Sequence, residues 1–391
     1  MTVFKTGLSV VFLITLLCLA PEARADSSRH DVLELGNRVA GWQLDNRERL
    51  EGIRTFRDRS LETRGWIQAA FYIGLERWSR HSGDPAHRDA LYELAAGNDW
   101  RLGDRFWHAD DQAVAQVYLA LENADTAPTQ DVFDRVLELN PQNSLDFEKE
   151  KDIDAEGGCQ KRWCWCDALF MAPPAWAALS RLSGDPRYLE YAVREYRAVQ
   201  EGLFDTGESL FDRDSRVFAR RTPHGNKVFW GRGNGWVFAG LPLLLEQLPE
   251  NHASRAHFLA TYRAMANKFK TIQTEAGLWA PSLLDFRHDP QPETSGSGFI
   301  VFGLAWGLNR GLLDEADFGP VVDRGWRSLV AAVGANGRLG WVQQVGNAPD
   351  EVRREDTQFY GAGAFLLAAS EMSARNALAA PPVTGALISQ R

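Results

Sequence analysis

The feature that most constrains the fold of this chain is a recurring run of apolar segments with helical periodicity. Repeats of several tens of residues are typical of proteins built from stacked or ringed helical pairs. The periodicity predicts twelve helices, with these approximate bounds: 31–45, 66–80, 86–96, 111–122, 129–139, 167–182, 186–201, 236–248, 252–270, 297–311, 316–333 and 360–375.

Short and long connections alternate between these segments. After the first helix, each even-numbered helix is joined to the next by a short turn, and each such pair is followed by a longer stretch. Two of the short turns are the same tetrapeptide, Ser-Gly-Asp-Pro, at 82–85 and 183–186. Glycine ends a helix readily, while Asp followed by Pro caps and begins the next one. The chain is therefore predicted to contain six helical hairpins.

Six hairpins can form an open solenoid or a closed ring of six inner and six outer helices. A solenoid would need atypical polar caps at both ends, and the sequence has none. Outer helices should alternate charged and apolar residues, as the segments near 86, 186, 252 and 316 do. Inner helices should be apolar on most faces, as are the segments that begin at 66, 111, 167, 236, 297 and 360. The pattern favours an all-α fold with a closed ring.

The amino terminus has the pattern of a secretory signal. Lys5 precedes an apolar stretch at 8–20, and Ala-Arg-Ala follows at 23–25. The stretch is shorter than the roughly 20 residues that span a bilayer, and an A-x-A tripeptide is typical of a cleavage site. We predict a signal peptide at 1–25, a single domain at 26–391, and an exported bacterial protein, periplasmic or secreted, with no membrane attachment after cleavage.

Charge and composition narrow the ligand classes. The net charge of −9 offers no basic stripe, which argues against nucleic-acid binding. The 14 tryptophans favour a sugar ligand, because indole rings stack on the apolar faces of pyranoses, although most of them should have packing roles. We expect a monomer or a small homo-oligomer.

Three cysteines lie beyond the signal, at Cys159, Cys164 and Cys166. A zinc site is disfavoured because neither a fourth cysteine nor a nearby histidine completes a tetrahedral set. One local disulfide and one buried thiol are expected in an oxidising compartment. Neither a metal nor a cofactor is predicted.

Polar and aromatic residues accumulate in the longer stretches that enter the six inner helices. In a ring, all six stretches would open at the same end, where helix N-termini form an anion site with a local positive potential. Arg232 is the predicted bidentate partner of a ligand carboxylate there. The six stretches are 64–66, 108–111, 163–167, 230–236, 293–298 and 356–361.

Each candidate in these stretches also has a structural interpretation. One of Asp110 and Asp111 is expected to cap a helix. Asp167 lies near a helix start that Pro-Pro at 173–174 should bend, which favours a working carboxylate. His108 is either a hydrogen bonder at the ring mouth or a structural histidine. The glycines around Arg232 lack a preceding strand and a Walker lysine, so nucleotide binding is rejected.

Three segments resemble the unsaturated rhamnogalacturonyl hydrolases of glycoside hydrolase family 105, and the likeness extends over about 66–372. They are WCDALFMAP at 165–173, FWGRGNGW at 229–236 and YGAGAFLLA at 360–368. The resemblance implies an (α/α)6 barrel. It also implies removal of a 4,5-unsaturated uronic acid from the non-reducing end of oligosaccharides produced by polysaccharide lyases.

The resemblance further implies a reaction unlike ordinary glycoside hydrolysis, in which two carboxylates flank the scissile bond. Asp167 would protonate C4 of the vinyl ether and assist water attack at C5. The resulting hemiketal would rearrange and release the remaining sugar. A residue that acts as acid and then as base needs a raised pKa, which burial and a second carboxylate provide. Asp111 is the first choice for that second carboxylate, and Asp110 is the next.

The same resemblance implies the substrate-binding residues. Asn234 should shape the loop that it lies in. Some relatives place a substrate-contacting histidine after Leu-Phe-Tyr, whereas this chain has Leu-Phe-Asp-Arg at 210–213, so the linked sugar stays open among rhamnose, another neutral sugar and a sulfated one. Side chains predicted to contact the substrate are those of Trp66, His108, Trp165, Arg232, Asn234, Trp236 and Tyr360.

Two other hypotheses remain at this stage. A polysaccharide lyase on a related ring would need a Tyr or His base, for which His108 and Tyr360 are available. A lyase creates the ultraviolet-absorbing unsaturated uronate that the hydrolase destroys. A non-catalytic sugar-binding protein would keep its role after Asp167→Asn.

Overall fold

The computed structural model describes residues 21–147 and 158–379. Residues 1–20 of the predicted signal peptide at 1–25 lie outside the described residues. Among the described residues, no helix is long and apolar enough to cross a membrane.

All twelve predicted helices are found in the described part of the chain, and two of them are interrupted. The outer layer consists of α1 (Pro21–Asp45), α3 (Pro85–Gly97), α6 (Ala127–Leu139), α9 (Pro186–Leu203), α11 (Arg255–Thr271) and α13 (Glu315–Ala331). The inner layer consists of α2 (Trp66–Ser82), α4 (Ala109–Gln112) with α5 (Ala115–Tyr118), α7 (Ala168–Met171) with α8 (Pro173–Ser183), α10 (Gly231–Gln247), α12 (Thr294–Asn309) and α14 (Phe359–Ala379).

The inner helices close into a ring. Each contacts the next in chain order, and α14 packs against both α12 and α2. The N-terminal helix α1 packs outside the seam against α14 and α2. A solenoid would leave its first and last repeats apart, so the prediction of an (α/α)6 barrel is confirmed.

The seam depends on glycine. A Cβ at Gly363 of α14 would lie 2.1 Å from the carbonyl oxygen of Ala70 in α2, and one at Gly74 would lie 2.2 Å from that of Gly363. Contacts that short exclude any side chain, so the two backbones can approach each other only because both positions are glycine.

The repeated tetrapeptide turns fold as their sequence predicts. Gly83 and Gly184 end α2 and α8 in the left-handed conformation, with φ of 68° and 75°. The side chains of Asp84 and Asp185 then accept hydrogen bonds from the second following backbone N–H, and a proline begins each new helix.

Two inner helices are broken, both beside the mouth of the ring. The break between α7 and α8 falls at Ala172, because Pro173 and Pro174 supply no N–H to the helical ladder. Between α4 and α5 the backbone stays right-handed but winds more tightly. There Gln116 and Val117 donate to carbonyls three residues earlier.

Two local features fix the loops around the mouth. A two-residue hairpin follows α9, in which β1 (Phe204–Asp205) pairs antiparallel with β2 (Leu210–Phe211). Cys159 and Cys164 form a disulfide, and Cys166 is a buried free thiol. This is the arrangement expected from the cysteine spacing.

A charged network closes the opposite end of the ring, near the C-termini of the inner helices. Arg77 of α2 bonds Glu246 of α10 at 2.7 Å and Glu371 of α14 at 2.6 Å. Arg310, which follows α12, reaches the same two carboxylates at 2.6 and 3.3 Å. Each carboxylate is therefore shared by two guanidinium groups.

Candidate active site

A cavity of about 990 Å³ opens at the end of the ring where the inner helices begin. Residues from four of the six entry stretches line it, those at 64–66, 108–111, 163–167 and 230–236. The stretches at 293–298 and 356–361 are buried and do not line the cavity. In the first of these, the carboxylate of Glu293 accepts from the backbone N–H groups of Ser295 and Gly296 and so caps α12. Four arginines and five acidic residues line the cavity. The charge there is mixed, which corrects the expected positive funnel.

Asp110 is placed at the start of α4 and faces the cavity. Its backbone N–H donates to Nδ1 of His108 at 3.2 Å, so the histidine caps the helix while the carboxyl of Asp110 stays free of a capping role. Burial raises the pKa of Asp110 to about 7, and the nearby charge of Asp167 adds to the rise against the opposing effect of Arg105. Asp110 therefore retains a proton far closer to neutral pH than an ordinary aspartate does.

His108 is itself neutral. Burial, together with the charge of Arg105, lowers its pKa to about 3. Because its Nδ1 accepts a hydrogen bond, the single ring proton resides on Nε2, and no nitrogen is left to take up another proton from a ligand. Of the two interpretations left open by the sequence, the structure gives His108 a capping role in the cavity wall.

Asp111 is engaged elsewhere. The guanidinium Nη2 of Arg105 lies 2.5 Å from its Oδ1, and the backbone N–H of Arg105 donates to its Oδ2 at 2.8 Å. These bonds tie the loop before α4 to the helix. The preference for Asp111 as the second carboxylate is therefore corrected to Asp110, because Asp111 is already neutralised by a residue of its own loop.

Asp167 lies at the N-cap of α7, lines the same cavity and is 9% exposed. Burial raises its pKa, and the guanidinium of Arg213, whose Nε lies 3.7 Å from Oδ2, limits that rise. The thiol of Cys166 donates to the same oxygen at 3.4 Å. Asp110, which is half-buried, and Asp167, which is buried, are thus two carboxyls in one cavity, each with a raised pKa.

Arg213 lines the candidate site, and the sequence did not indicate it directly. Arg213 forms an ion pair with Asp214, whose carboxylate also accepts a hydrogen bond from Arg216. The Nε of Arg213 has no hydrogen-bond partner among the described residues. The available signal was the departure from the family pattern at 210–213, which was interpreted only as the loss of a histidine. In the structure, that departure introduces a cation beside Asp167.

Arg232 does not line the cavity. Its guanidinium has no exposed surface and donates to the backbone carbonyls of Gln343 and Gln344, between the rings of Trp230 and Tyr360. The prediction that it binds a ligand carboxylate is corrected, because those donors are already used to hold the loop before α14. Its Nε has no hydrogen-bond partner in the described chain.

Asn234 has the loop-shaping role that was expected. Its side chain accepts from the N–H of Phe211 at 2.7 Å and donates to the carbonyl of the same residue at 3.0 Å. The amide therefore acts as an added strand partner for β2 and anchors the segment that carries Arg213. Because Asn234 is fully buried, it cannot contact a ligand directly, which corrects its place among the substrate-contacting residues.

The aromatic candidates divide into two groups. Trp66, Trp165 and the ring of His108 line the cavity. Trp236 and Tyr360 have no exposed surface, and their direct contact with substrate is corrected to a packing role. Tyr360 stacks on Trp66 with ring centroids 5.5 Å apart, and its hydroxyl donates to the carbonyl of Gln343. The buried rings of Trp236 and Tyr360 therefore pack against Trp66, which lines the cavity.

Within residues 21–147 and 158–379, no group of three or more His, Cys, Asp or Glu side chains could hold a metal ion. The disulfide occupies two of the cysteines that a zinc site would have used. The chemistry available in the cavity is that of carboxyls and arginines.

The sequence model described as Glycosyl Hydrolase Family 88 matches residues 36–376. An unsaturated 3S-rhamnoglycuronyl hydrolase of Alteromonas sp. (strain LOR) is 44% identical over 349 residues, which cover 86% of this chain and 84% of the relative. A protein of the same designation from Formosa agariphila is 35% identical and covers 80% of this chain and 85% of the relative.

Solved structures agree with the fold. A family 88 glycosyl hydrolase from Bacteroides vulgatus superposes with a TM-score of 0.75 at 25% identity and covers 88% of this chain and 99% of its own. A polysaccharide lyase superposes with a TM-score of 0.74 at 28% identity, covering 88% and 97%. The same ring therefore occurs in proteins described as hydrolases and as lyases.

Proposed function

This chain belongs to glycosyl hydrolase family 88 and acts on oligosaccharides that carry an unsaturated uronic acid, and we propose that it does so by hydrating the vinyl ether of that sugar. The observation that supports this chemistry is the pair of carboxyls in one cavity, the half-buried Asp110 and the buried Asp167. Both have raised pKa values, and the charge of Asp167 contributes to the shift at Asp110. Two such groups can share one proton at neutral pH.

We propose that Asp167 donates a proton to C4 of the C4=C5 bond. A water molecule then adds at C5 and returns a proton to the carboxylate pair. The product is a hemiketal at C5, which opens to a ketone there and leaves a hemiacetal at C1. That hemiacetal collapses to an aldehyde and releases the linked sugar, so the whole sequence consumes one water molecule.

The environment of Asp167 suits this role. An entering uronate brings a further negative charge into the cavity, which favours the protonated form of both carboxyls. Arg213, beside Asp167, limits the cost of the charge that remains after proton transfer. Asp110 contributes the second carboxyl, from which the pair can regain its proton.

For the linked sugar, we propose a rhamnose with a sulfate ester on O3. The support is the designation shared by the two relatives at 44% and 35% identity, unsaturated 3S-rhamnoglycuronyl hydrolase. Arginines at the cavity wall are compatible with a second anionic group on the substrate.

The lyase hypothesis has a specific observation in its favour, the likeness to a polysaccharide lyase. A lyase requires a base that can reach the proton at C5 of the uronate. Tyr360 is fully buried and already donates its hydroxyl hydrogen, and burial raises its pKa. His108 has no nitrogen free to accept a proton. The cavity therefore favours hydration over elimination.

We also propose that the protein is exported. The support is the signal pattern at 1–25 and the disulfide between Cys159 and Cys164, since disulfides persist mainly in oxidising compartments. Labelling of free thiols in protein purified from the periplasm should detect Cys166 only after denaturation, and should detect all three only after reduction.

The test of the proposed function is the ultraviolet absorbance of an unsaturated uronyl–rhamnose disaccharide, incubated with the protein and with Asp167→Asn. Loss of absorbance with the unmutated protein alone is the expected result. New absorbance from the uncleaved polysaccharide would instead identify a lyase. Flat absorbance with every unsaturated uronyl substrate, while the ligand still binds, would identify a sugar-binding protein.

A further inference from the structure

An exposed aromatic ring and an unpaired arginine lie together at the mouth of the cavity. Phe56 is 48% exposed, the highest value for a large hydrophobic side chain in the described chain, and it lines the cavity. The guanidinium carbon of Arg59 lies 5.4 Å from the centre of the Phe56 ring. We call these two residues the mouth pair.

Arg59 differs from the other arginines of the cavity wall. Arg64 is paired with Asp104 at 2.9 Å, Arg105 with Asp111, and Arg213 with Asp214. For Arg59, the described residues include no side-chain ion pair or hydrogen bond, and its contact is with the Phe56 ring. It is therefore the arginine of the cavity that can accept an anionic group from a ligand without displacing a carboxylate.

The backbone of the mouth pair is held in place by buried contacts. Phe56 has a φ of 52°, a conformation that bulky side chains rarely adopt. Its carbonyl accepts from both the backbone N–H and the hydroxyl of Ser60, and Ser60 is fully buried between Gln68 of α2 and Gln358. The surrounding structure thus enforces an unfavoured conformation that places a ring in water at the cavity mouth.

We propose that the mouth pair is the subsite for the sugar linked to the unsaturated uronate, and that it recognises a sulfate ester on that sugar. This inference rests on the proposed function. The uronate occupies the depth of the cavity beside Asp167, so the linked sugar extends towards the mouth. There the Phe56 ring packs against its apolar face, and the guanidinium of Arg59 bonds the sulfate oxygens.

The experiment compares unsaturated uronyl–rhamnose disaccharides with and without the sulfate ester, on the protein and on Arg59→Gln. The unmutated protein should show a KM about tenfold or more lower for the sulfated disaccharide, as expected for one strong charge-assisted contact. Arg59→Gln should remove that preference, with little change in kcat and no change in KM for the desulfated disaccharide. An unmutated protein that does not discriminate, or a variant that loses activity equally on both, would overturn the proposal.

A second variant tests the ring. Phe56→Gly relieves the left-handed backbone, so its melting temperature should stay the same or rise while its KM for both disaccharides increases. Phe218→Ala is the matched control, because Phe218 is exposed to a similar degree, 46%, and does not line this cavity. A Phe56→Gly variant with unchanged KM would show that the ring makes no contact with the linked sugar.

Binding separates this proposal from the proposed function. Sulfated and desulfated disaccharides are titrated calorimetrically into Asp167→Asn and into Asp167→Asn with Arg59→Gln. If the unmutated protein hydrates no substrate but binding depends on sulfate through Arg59, the function fails and the subsite stands. If hydration is observed and binding is independent of both sulfate and Arg59, the subsite fails and the function stands. A disaccharide with a carboxylate in place of the sulfate shows whether charge alone suffices.

Discussion

The carboxylates at the two ends of the ring differ in how far neighbouring cations compensate their charge. At the closed end, Glu246 and Glu371 each receive two guanidinium groups, so the carboxylates are neutralised by their neighbours. At the open end, Asp110 and Asp167 line one cavity, and the negative charge of Asp167 raises the pKa of Asp110. The guanidinium of Arg213 lies beside Asp167. The same functional group, a carboxylate, has its charge fully paired at one end and only partly compensated at the other.

The pKa values follow this difference. Burial would raise the pKa of Glu246, but the hydrogen bonds and charges of Arg77 and Arg310 bring it below its ordinary value. At the open end, burial dominates and raises the pKa of both aspartates. A buried carboxyl that lacks full compensation destabilises the fold and is retained where chemistry needs a proton. We therefore expect the closed end to contribute stability, and the open end to hold the carboxyls that the proposed reaction uses.

The strongest way to break the comparison is Asp110→Asn, which keeps the size of the side chain and removes its titration. We expect kcat to fall on the order of 10²–10⁴-fold, the usual contribution of a positioned acid or base. The melting temperature should rise at pH 8, because the folded protein no longer buries a strained carboxylate. Steady-state absorbance assays and thermal melts measure the two effects on one preparation.

Asp111→Asn is the matched control for that variant, since the two aspartates are adjacent and line the same cavity. It breaks the pair with Arg105, so its melting temperature should fall and its kcat should change at least tenfold less than that of Asp110→Asn. A loss of kcat at Asp111 as large as that at Asp110 would restore Asp111 as the second carboxylate.

The converse experiment is Glu371→Gln at the closed end. It leaves Arg77 and Arg310 with one carboxylate between them, so the free energy of unfolding should fall by about 3–5 kcal/mol, as for other broken buried pairs. Activity per folded molecule should be unchanged. Urea unfolding measures the first quantity, and Arg88→Gln, which breaks an exposed pair with Glu122, should leave it nearly unchanged. Equal losses for the two variants would mean that the network adds no stability.

The two ends should also respond to pH with opposite signs. Asp110 has a higher pKa in the folded protein than in the unfolded chain. Its contribution to the free energy of unfolding is therefore fully present below the pKa of the unfolded chain, and it is lost as the pH rises through about 7. A lowered pKa, as at Glu246, gives stability that is present above its ordinary value of 4.5 and lost as pH falls through the folded value. Thermal melts across pH should therefore show the alkaline loss of stability shrink in Asp110→Asn, with the part due to Asp167 remaining, and the acid loss shrink in Glu246→Gln.

The pH dependence of kcat/KM should follow the titration of the two carboxyls at the open end and not that of the closed end. The proposed reaction needs a proton on the carboxyl pair, and Asp110 loses its proton above a pH of about 7, so kcat/KM should fall about tenfold per pH unit on the alkaline side. A flat alkaline profile would mean that no carboxyl proton takes part in the rate-limiting step.

The sequence predicted the ring well because its signals are local. Helical periodicity and the Ser-Gly-Asp-Pro turns depend on neighbours within a few residues, and the structure contains both. The broken helix at Ala172 likewise follows from two adjacent prolines.

The site was predicted less completely, because its assignments depend on contacts between distant segments. Arg232 is withdrawn from the cavity by carbonyls of Gln343 and Gln344, more than a hundred positions away. No local pattern indicates which of Asp110 and Asp111 meets Arg105. Arg213 was visible only as a departure from a family pattern, and its contact with Asp167 requires the hairpin that Asn234 anchors. The sequence predicts which residue types lie at the mouth of the ring. It does not predict which of them pair with one another.

The smallest effect concerns Cys166, whose thiol donates to Oδ2 of Asp167 and stabilises its charged form. Cys166→Ala removes that donor, so the pKa of Asp167 should rise further and the alkaline limb of kcat/KM should move up by about half a pH unit or less, as expected for one weak hydrogen bond. Cys166→Ser keeps a donor at the same position and should restore the original limb, which separates hydrogen bonding from packing. If both variants show the same displaced limb, packing around the buried thiol sets the pKa. If neither variant shifts the alkaline limb, burial and the neighbouring charges alone set the raised pKa of Asp167.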